Sequence, residues 1–337
     1  MASKVSSKCI KINKELGNNV IDMLKQMNLL NQDLKPRKEG NYLLIPIINE
    51  KSLDIVEKKF GFEMCDDFFE EYKFKSRKLN AVIEGISSYL VIGNIAIINY
   101  KGDLDILKKA ASEIVRINPK IESVYAKIDT EGELRVPKLI LLYGKDNTLT
   151  IHKENGLVFN VDIGKVYFNP RLGGEHNRIA NMVKDGEFVL DMFTGVGGFT
   201  LNIAKKSRSR ILGVDLNPYA ISLAQMNAKI NKNILKGDTF FIRSDSMKLD
   251  NIIKIKFDRI IMNHPTDSLS FLKTACNLIN GKGNIHLYTL LDNRKQNLEK
   301  ILDKLKMYCK FNFEIYELKR VLDYSPKQSI FEVNIKI

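Results

Sequence analysis

The sequence has no long apolar run. Its longest, Leu90 to Tyr100, is broken by Gly93 and Asn94 and falls far short of the ~18–20 residues a membrane-spanning helix needs. Met1 to Lys14 lack the continuous apolar core of a secretory leader. A cytosolic protein with no membrane partner is therefore expected. Cysteine is sparse: Cys9, Cys65, Cys276 and Cys309 lie far apart, with no close pair of the kind that marks a zinc site or a redox couple. Buried free thiols and no metal are expected. Internal repeats and low-complexity segments are also missing.

What is present is a chain of 337 residues, 44% hydrophobic and 28% charged. That is ordinary for a globular protein, too apolar for disorder, and long enough for two or three compact units. Lys and Arg outnumber Asp and Glu by 53 to 40, a net charge of +13. Such an excess suits a polyanionic partner, most naturally nucleic acid, although lysine enrichment alone also raises the isoelectric point.

The first ~70 residues pattern as a small mixed unit. Val20, Leu24, Met27 and Leu30 recur at helical spacing, and Asn41 to Ile47 pattern as a strand. Glu70 to Lys78 are charged and aperiodic, a candidate linker. A strand over Tyr89–Asn99 and a helix with Leu104, Leu107, Ala111 and Ile114 on one face predict a second α+β unit. Asn155-Gly156, between two apolar segments, predicts a tight hairpin. From Val183 onward, short apolar runs alternate with amphipathic helices. Strands are expected near Glu187–Met192, Arg210–Val214, Thr239–Ile242, Phe257–Met262 and Asn284–Leu290, the pattern of a doubly wound parallel sheet.

The sharpest local signal is Val189-Leu190-Asp191-Met192-Phe193-Thr194-Gly195-Val196-Gly197-Gly198-Phe199, a strand ending in an acid and a Gly-x-Gly turn that lets a ligand approach backbone. Asp215 ends the next strand, where a carboxylate can accept from both ribose hydroxyls. Thr200 stands where a dinucleotide site has its third glycine, which disfavours NAD. The third strand ends in Arg243-Ser244-Asp245 and the fourth in Met262-Asn263-His264-Pro265. Three acids and an amide on successive strand ends resemble the class I S-adenosylmethionine-dependent methyltransferases. The resemblance puts Asp191 near the methionine end, Asp215 on the ribose and Asp245 by the adenine amino group. Helix capping is the competing role for Asp191 and Asp245.

Upstream lie Thr148 to Gly156 and Tyr167-Phe168-Asn169-Pro170-Arg171-Leu172-Gly173-Gly174-Glu175. Together with Asp191 to Phe199, Asp215-Leu216-Asn217-Pro218 and Asn263-x-Pro265, they closely resemble the archaeal and eukaryotic tRNA (guanine-37 N1)-methyltransferases. Cys9 to Lys14, Leu29 to Asn31 and Glu39 to Leu43 extend the likeness to the N-terminus. The resemblance implies an α/β protein with a class I methyltransferase (Rossmann-like) doubly wound sheet and two smaller N-terminal α+β domains. Residues 1–70 would bind the tRNA elbow, 75–165 would form a middle tRNA-binding domain, and 166–337 would catalyse. It also implies S-adenosyl-L-methionine as cofactor, tRNA with guanine at position 37 as partner, and a monomer.

By the same resemblance the cofactor residues are Asp191, Phe193, Gly195, Gly197, Asp215, Asn217, Asp245 and Asn263. Substrate would meet Arg135, Tyr167, Arg171 and Asn263. Guanine N1 is protonated at neutral pH and needs a base, a role the resemblance gives to Glu175. Arg135 would stabilise charge on O6, Asn263 would bond the guanine edge, and Pro265 would fix the turn. Glu175 as a helix-start acid, Arg135 as a surface arginine and Tyr167 as a core tyrosine are the competing readings. Three positions depart from the family: Gly198 for the usual proline, Thr194 for alanine, and His264 for an apolar residue. The His264 imidazole either packs locally or alters substrate choice or pH response. Lys35, Arg37 and Lys38 are expected to add salt-dependent tRNA affinity. The rivals are a wyosine-pathway relative, either an aminocarboxypropyl transferase or a dual methyltransferase, and a tRNA-binding protein that has lost catalysis.

Overall fold

The computed structural model describes residues 4–27, 29–31, 33–50, 53–70, 86, 89–99, 103–132, 134 and 136–337. Residues 71–78 of the expected linker and Arg135 lie outside them. The chain divides into two compact units, Met1–Val82 and Ile83–Ile337.

The first unit is an antiparallel sheet of β1 (Lys4–Asn13), β2 (Arg37–Glu39), β3 (Tyr42–Pro46) and β4 (Glu63–Glu70), in the order β2-β3-β1-β4. Helices α1 (Gly17–Gln26) and α2 (Asp54–Phe60) cover it. Val20 and Leu24 of α1 and Val56 of α2 meet Ile10, Ile12 and Ile45 in its core. The expected helical stripe ends sooner than its spacing suggested, because Met27 is already the cap and Leu30 reaches the core from beyond it.

The second unit opens with β5 (Leu90–Ile92), β6 (Ile95–Ile98), α3 (Leu104–Ile117), β7 (Ser123–Glu131) and β8 (Val136–Gly144), the strands running in the order β5-β6-β7-β8. The single strand expected over 89–99 is thus a hairpin, turning at the Gly93-Asn94 pair that interrupts the apolar run. On α3 the buried positions are Leu107, Ala110, Ala111 and Ile114, while Leu104 is exposed. The hairpin β9 (Leu149–Glu154) and β10 (Leu157–Asp162) turns at Asn155-Gly156, both with positive φ (50° and 73°), as a two-residue turn of this kind requires.

Next come α4 (Gly173–Met182), β11 (Phe188–Asp191), α5 (Gly198–Lys206), β12 (Arg210–Asp215), α6 (Pro218–Ile230), β13 (Asp238–Arg243), α7 (Leu249–Ile252), β14 (Phe257–Met262), α8 (Leu272–Leu278), β15 (Ile279–Asp292), α9 (Glu299–Tyr308), β16 (Glu314–Asp323) and β17 (Gln328–Lys336). The strands order as β13-β12-β11-β14-β15-β17-β16. Strands β11 to β15 are parallel, and β17 lies antiparallel between β15 and β16. This is the doubly wound class I sheet that was expected, extended by two antiparallel strands. Alternation feeds both faces: Val189, Ile211 and Ile261 pack with Ile179, Phe199 and Ile203, whereas Leu190, Ile260 and Met262 pack with Leu272, Ile285 and Leu287 on the other side. Strand order reverses at β11, which opens a crevice at the carboxyl edge between β11 and its two neighbours.

Helix α6 fastens the hairpin to this sheet with amides. Asn227 Oδ1 accepts from Asn160 N (2.7 Å) and Asn231 Oδ1 from Val158 N (3.0 Å), while their Nδ2 groups donate to Asn160 O and Val158 O (3.2 and 2.7 Å). Two asparagines one helical turn apart thus satisfy the free edge of β10 as a neighbouring strand would.

The cysteines are not free thiols. Cys9 and Cys65 face each other across β1 and β4, and Cys276 on α8 meets Cys309 at the end of α9. The Cα separations are 4.9 and 4.8 Å, and each pair forms a disulfide. Their sequence separations of 56 and 33 residues concealed pairs that strand register and helix packing create.

Candidate functional site

The turn after β11 is shaped by glycine. Gly197 has φ 99°, and a Cβ there would meet Leu201 Cδ1 at 3.2 Å. With Gly195 at φ 55°, the turn bends back so that α5 starts under it. Asp191 is fully buried beneath. Its Oδ2 accepts from Thr200 Oγ1 at 2.9 Å, and Thr200 Oγ1 lies 2.9 Å from Thr194 Oγ1. Thr200, the residue that replaces a third glycine, therefore braces the turn from within. Burial pushes the Asp191 carboxyl up to about 6 against these hydrogen bonds.

Asp215 ends β12 beside this turn. Its Oδ2 accepts from Gly195 N at 2.8 Å and its Oδ1 from Asn217 N at 2.9 Å. Burial nevertheless raises its pKa, opposed by those backbone donors. Asn217 caps α6, accepting from Tyr219 N at 3.0 Å, with Pro218 in the first helical turn. Asp245 likewise accepts from Met247 N at 2.9 Å, and Ser246 Oγ donates to Met192 O at 2.6 Å. Beyond β14, the His264 ring stands 5.0 Å from Phe193 and 5.6 Å from Phe271, centroid to centroid, while Phe193 and Phe271 meet edge-on at 4.8 Å.

These strand ends surround one cavity of about 210 Å³, lined by Phe193, Gly195, Asp215, Asn217, Asp245, Asn263, His264, Pro265 and Tyr167 among others. Its lining mixes carboxylates, backbone and hydroxyls with aromatic rings, which is the mixture a nucleoside requires. The donor set fits S-adenosylmethionine: Asp215 keeps lone pairs for ribose hydroxyls, and Gly195 leaves the backbone open, since a Cβ there would find its nearest neighbour 4.0 Å away.

Comparison with known proteins agrees with this geometry. Residues 150–316 match the TRM5/TYW2 methyltransferase domain, 9–52 the tRNA methyltransferase 5 N-terminal domain, and 77–148 the TYW2 N-terminal domain. The chain is 36% identical to the tRNA (guanine(37)-N(1))-methyltransferase Trm5b of Methanocaldococcus jannaschii, over 98% of each chain. It is 34% identical to the Trm5b of Pyrococcus abyssi, over 97% of this chain and 98% of that one. The solved complex of aTrm5 and tRNALeu superposes with a TM-score of 0.75 at 35% identity, covering 98% of this chain and 99% of that one. The chain belongs to the TRM5/TYW2 methyltransferase family.

Not every residue carried over from that family lies in the cavity. Phe193, Gly195, Asp215, Asn217, Asp245, Asn263, Pro265 and Tyr167 line it. Gly197 shapes the turn without lining it, and the Asp191 side chain is sealed below, where it braces the turn. Arg171 is exposed in the turn before α4 and borders a neighbouring cavity of about 240 Å³, whose wall Tyr167 shares. Tyr167 is 41% exposed, with Lys127 Nζ 5.8 Å from its ring centroid, so it is not a core tyrosine. Gly198, a departure from the family, is explained by His176: a Cβ at 198 would come within 2.7 Å of His176 Cε1.

Glu175 is the larger surprise for a TRM5/TYW2 chain. It is buried on α4 and does not line the cavity. Its Oε1 accepts from Arg178 Nη2 and from Tyr288 OH, both at 2.6 Å, and its Oε2 from Arg178 Nε at 2.8 Å. Burial pushes its carboxyl up, but the Arg178 and Tyr288 hydrogen bonds outweigh this and hold it below the usual range. Arg178 Nη2 also lies 3.2 Å from Glu332 Oε2, and Nη1 lies 3.7 Å from Glu317 Oε2. Glu332 Oε1 is 2.8 Å from His286 Nδ1, whose Nε2 faces Arg259 Nη1 at 2.6 Å, and Arg259 pairs with Glu187. Arg178, Tyr288, Glu332 and His286 carried no motif, because they become neighbours only when β15, β16 and β17 close beside α4.

Proposed function

We propose that this chain transfers a methyl group from S-adenosylmethionine to N1 of guanine 37 in tRNA. The observation that carries this reading is one cavity lined both by a nucleoside-type set, Gly195, Asp215 and Asp245, and by Asn263, Pro265 and the exposed Tyr167. The full-length likeness to guanine-37 methyltransferases supports it. When bound, S-adenosylmethionine supplies an electrophilic methyl group. Asp215 would hold the ribose hydroxyls, Asp245 the adenine amino group, and the Phe193, His264 and Phe271 rings would keep water from the reacting centre. Asn263 would bond the guanine edge and Tyr167 would stack on the base. The Glu175 carboxylate would take the N1 proton, leaving N1 to accept the methyl group that S-adenosylmethionine would supply. Arg135 is assigned to O6, where negative charge develops.

The division into 1–70, 75–165 and 166–337 belongs to the same proposal; three separate family matches, at 9–52, 77–148 and 150–316, support three parts, the last of them taking in the β9–β10 hairpin that this division puts in the middle domain. Action as a monomer and a cytoplasmic location belong to the proposal too. Among the described residues no helix is long and apolar enough to cross a membrane.

The test is mass mapping of unmodified tRNA bearing guanine 37 after incubation with enzyme and S-adenosylmethionine. One methyl on N1 of that guanine, lost in Glu175→Ala, is expected. An unchanged guanine with intact cofactor binding would refute the proposal, and the same assay on wyosine precursors would then separate a relative with other chemistry from a protein that only binds.

A further inference from the structure

A base must reach its proton, yet the Glu175 carboxylate is held away from the cavity by two hydrogen bonds from one guanidinium and one from Tyr288. We propose that Arg178 is a positioning residue that locks Glu175 while no guanine is present and releases it by moving its guanidinium onto Glu332. The inference rests on the reading of Glu175 as the base.

The receiving site is built. Glu332 is fully buried, and its Oε2 has no hydrogen bond although it lies 3.2 Å from Arg178 Nη2. A buried carboxylate oxygen without a donor is costly, and a guanidinium one small shift away removes that cost. The other Glu332 oxygen is anchored by His286 Nδ1. Because Arg259 donates to His286 Nε2, the imidazole is neutral and donates to Glu332 through Nδ1–H. Burial lowers the His286 pKa and keeps it so. The neutral imidazole leaves Arg178 as the cation that Glu332 Oε2 meets, at 3.2 Å. On leaving Glu175, Arg178 would still sit between Glu332 and Glu317, so no cation is stranded in the core.

The exchange also changes the basicity of Glu175. The groups that face it are Arg178 on its own helix, Tyr288 on β15, Lys319 on β16 and, through Arg178, Glu317 on β16 and Glu332 on β17. Arg178 and Tyr288 keep the carboxylate ionised and weakly basic. Without Arg178 the desolvation by burial prevails and proton affinity rises, at the moment the N1 proton has to be taken.

The experiment is single-turnover methylation of guanine-37 tRNA across pH for wild type, Arg178→Lys, Tyr288→Phe and Glu332→Gln, with S-adenosylhomocysteine affinity and thermal melting as folding controls. In wild type the acid limb reports protonation of Glu175. Arg178→Lys and Tyr288→Phe remove hydrogen bonds that lower its pKa, so the limb moves up by about one pH unit. Glu332→Gln deprives Arg178 of its second anion and tightens its hold on Glu175. The limb then moves down and the plateau rate falls about tenfold. Shifts in opposite directions with cofactor affinity unchanged are expected. Superimposed profiles, or slower rates with unmoved limbs, overturn the lock. If Glu332→Gln fails to fold, Glu317→Gln decides: it removes the partly exposed anion facing Arg178 Nη1, so its limb also moves down if the lock holds and stays in place if it does not. Failure of the underlying reading looks different: Glu175→Ala would then methylate at the wild-type rate, whereas failure of the lock alone leaves Glu175→Ala inactive.

Discussion

Replacing Asp215 with asparagine separates what this residue does for ligand from what it does for fold. The carboxylate takes one backbone N–H on each oxygen, from Gly195 and Asn217. An amide has one acceptor oxygen, so whichever way it turns, its NH2 meets a second N–H donor. It also cannot accept from both ribose hydroxyls. Hydrogen bonds to a charged acceptor contribute about 1.5–3 kcal/mol each, so losing one to ribose weakens binding roughly 10- to 150-fold. Stability moves differently. Burial raises the Asp215 pKa, so the ionised group costs the folded state free energy above its ordinary pKa, and that cost grows as pH rises through the folded value. Asparagine removes this cost, which offsets the lost backbone bond. Calorimetric titration with S-adenosylhomocysteine should therefore show a large loss of affinity at pH 7.5, while the ligand-free protein melts within about 3 °C of wild type, the shift expected from ~1 kcal/mol in a unit of this size. Affinity equal to wild type would refute the ribose assignment, and a melting loss as large as the binding loss would make Asp215 a structural residue.

Other outcomes follow from the same geometry. Gly198→Ala forces a Cβ against the buried His176 ring and should cost about 1–3 kcal/mol; a melting point unchanged from wild type would show that the ring yields freely. Asp191, with its pKa pushed up to about 6 from an ordinary 3.8, contributes stability below pH 4 that is lost as pH rises to about 6 and beyond, about 3 kcal/mol in all. Urea denaturation at several pH values should show that segment of pH dependence disappear in Asp191→Asn. Tyr167→Ala should lower tRNA methylation while leaving cofactor affinity intact, and a parallel fall in both would move Tyr167 from the base to the cofactor. Lys35 and Arg37 already pair with Glu70 and Asp67, so Lys38→Ala should reduce the salt slope of tRNA binding, by about one, more than either of the others does. Equal effects, or a flat salt response, would remove that distinction.

Most of the parallel half of the sheet was legible because β11, β12 and β14 hold short apolar cores buried between helices, whereas β13, at the edge, is only partly buried and was legible from its β-forming Thr239 to Ile242. Asp191, Asp215 and Asp245 were legible because strand ends in a doubly wound sheet share one edge. Strands β16 and β17 were not legible: β16 alternates charge with partly buried residues, and β17 buries Glu332 and Asn334, polar residues that only a tertiary network satisfies. The Arg178 cluster was hidden for the same reason. The hairpin over 90–98 was half visible, since the glycine that interrupts the apolar run is the turn itself. The disulfides left no trace in spacing, because register, not sequence separation, brings their partners together.

The amide lacing between α6 and β10 has an experimental consequence. Asn160, Asn227 and Asn231 carry no charge, so neither ionic strength nor pH across the working range weakens their hydrogen bonds. Salt titrations that release tRNA will leave the hairpin docked beside the Val196 end of the cofactor turn, where Asn227 Nδ2 also donates to the Val196 carbonyl. The docking of the hairpin therefore adds nothing of its own to the slope of such a titration.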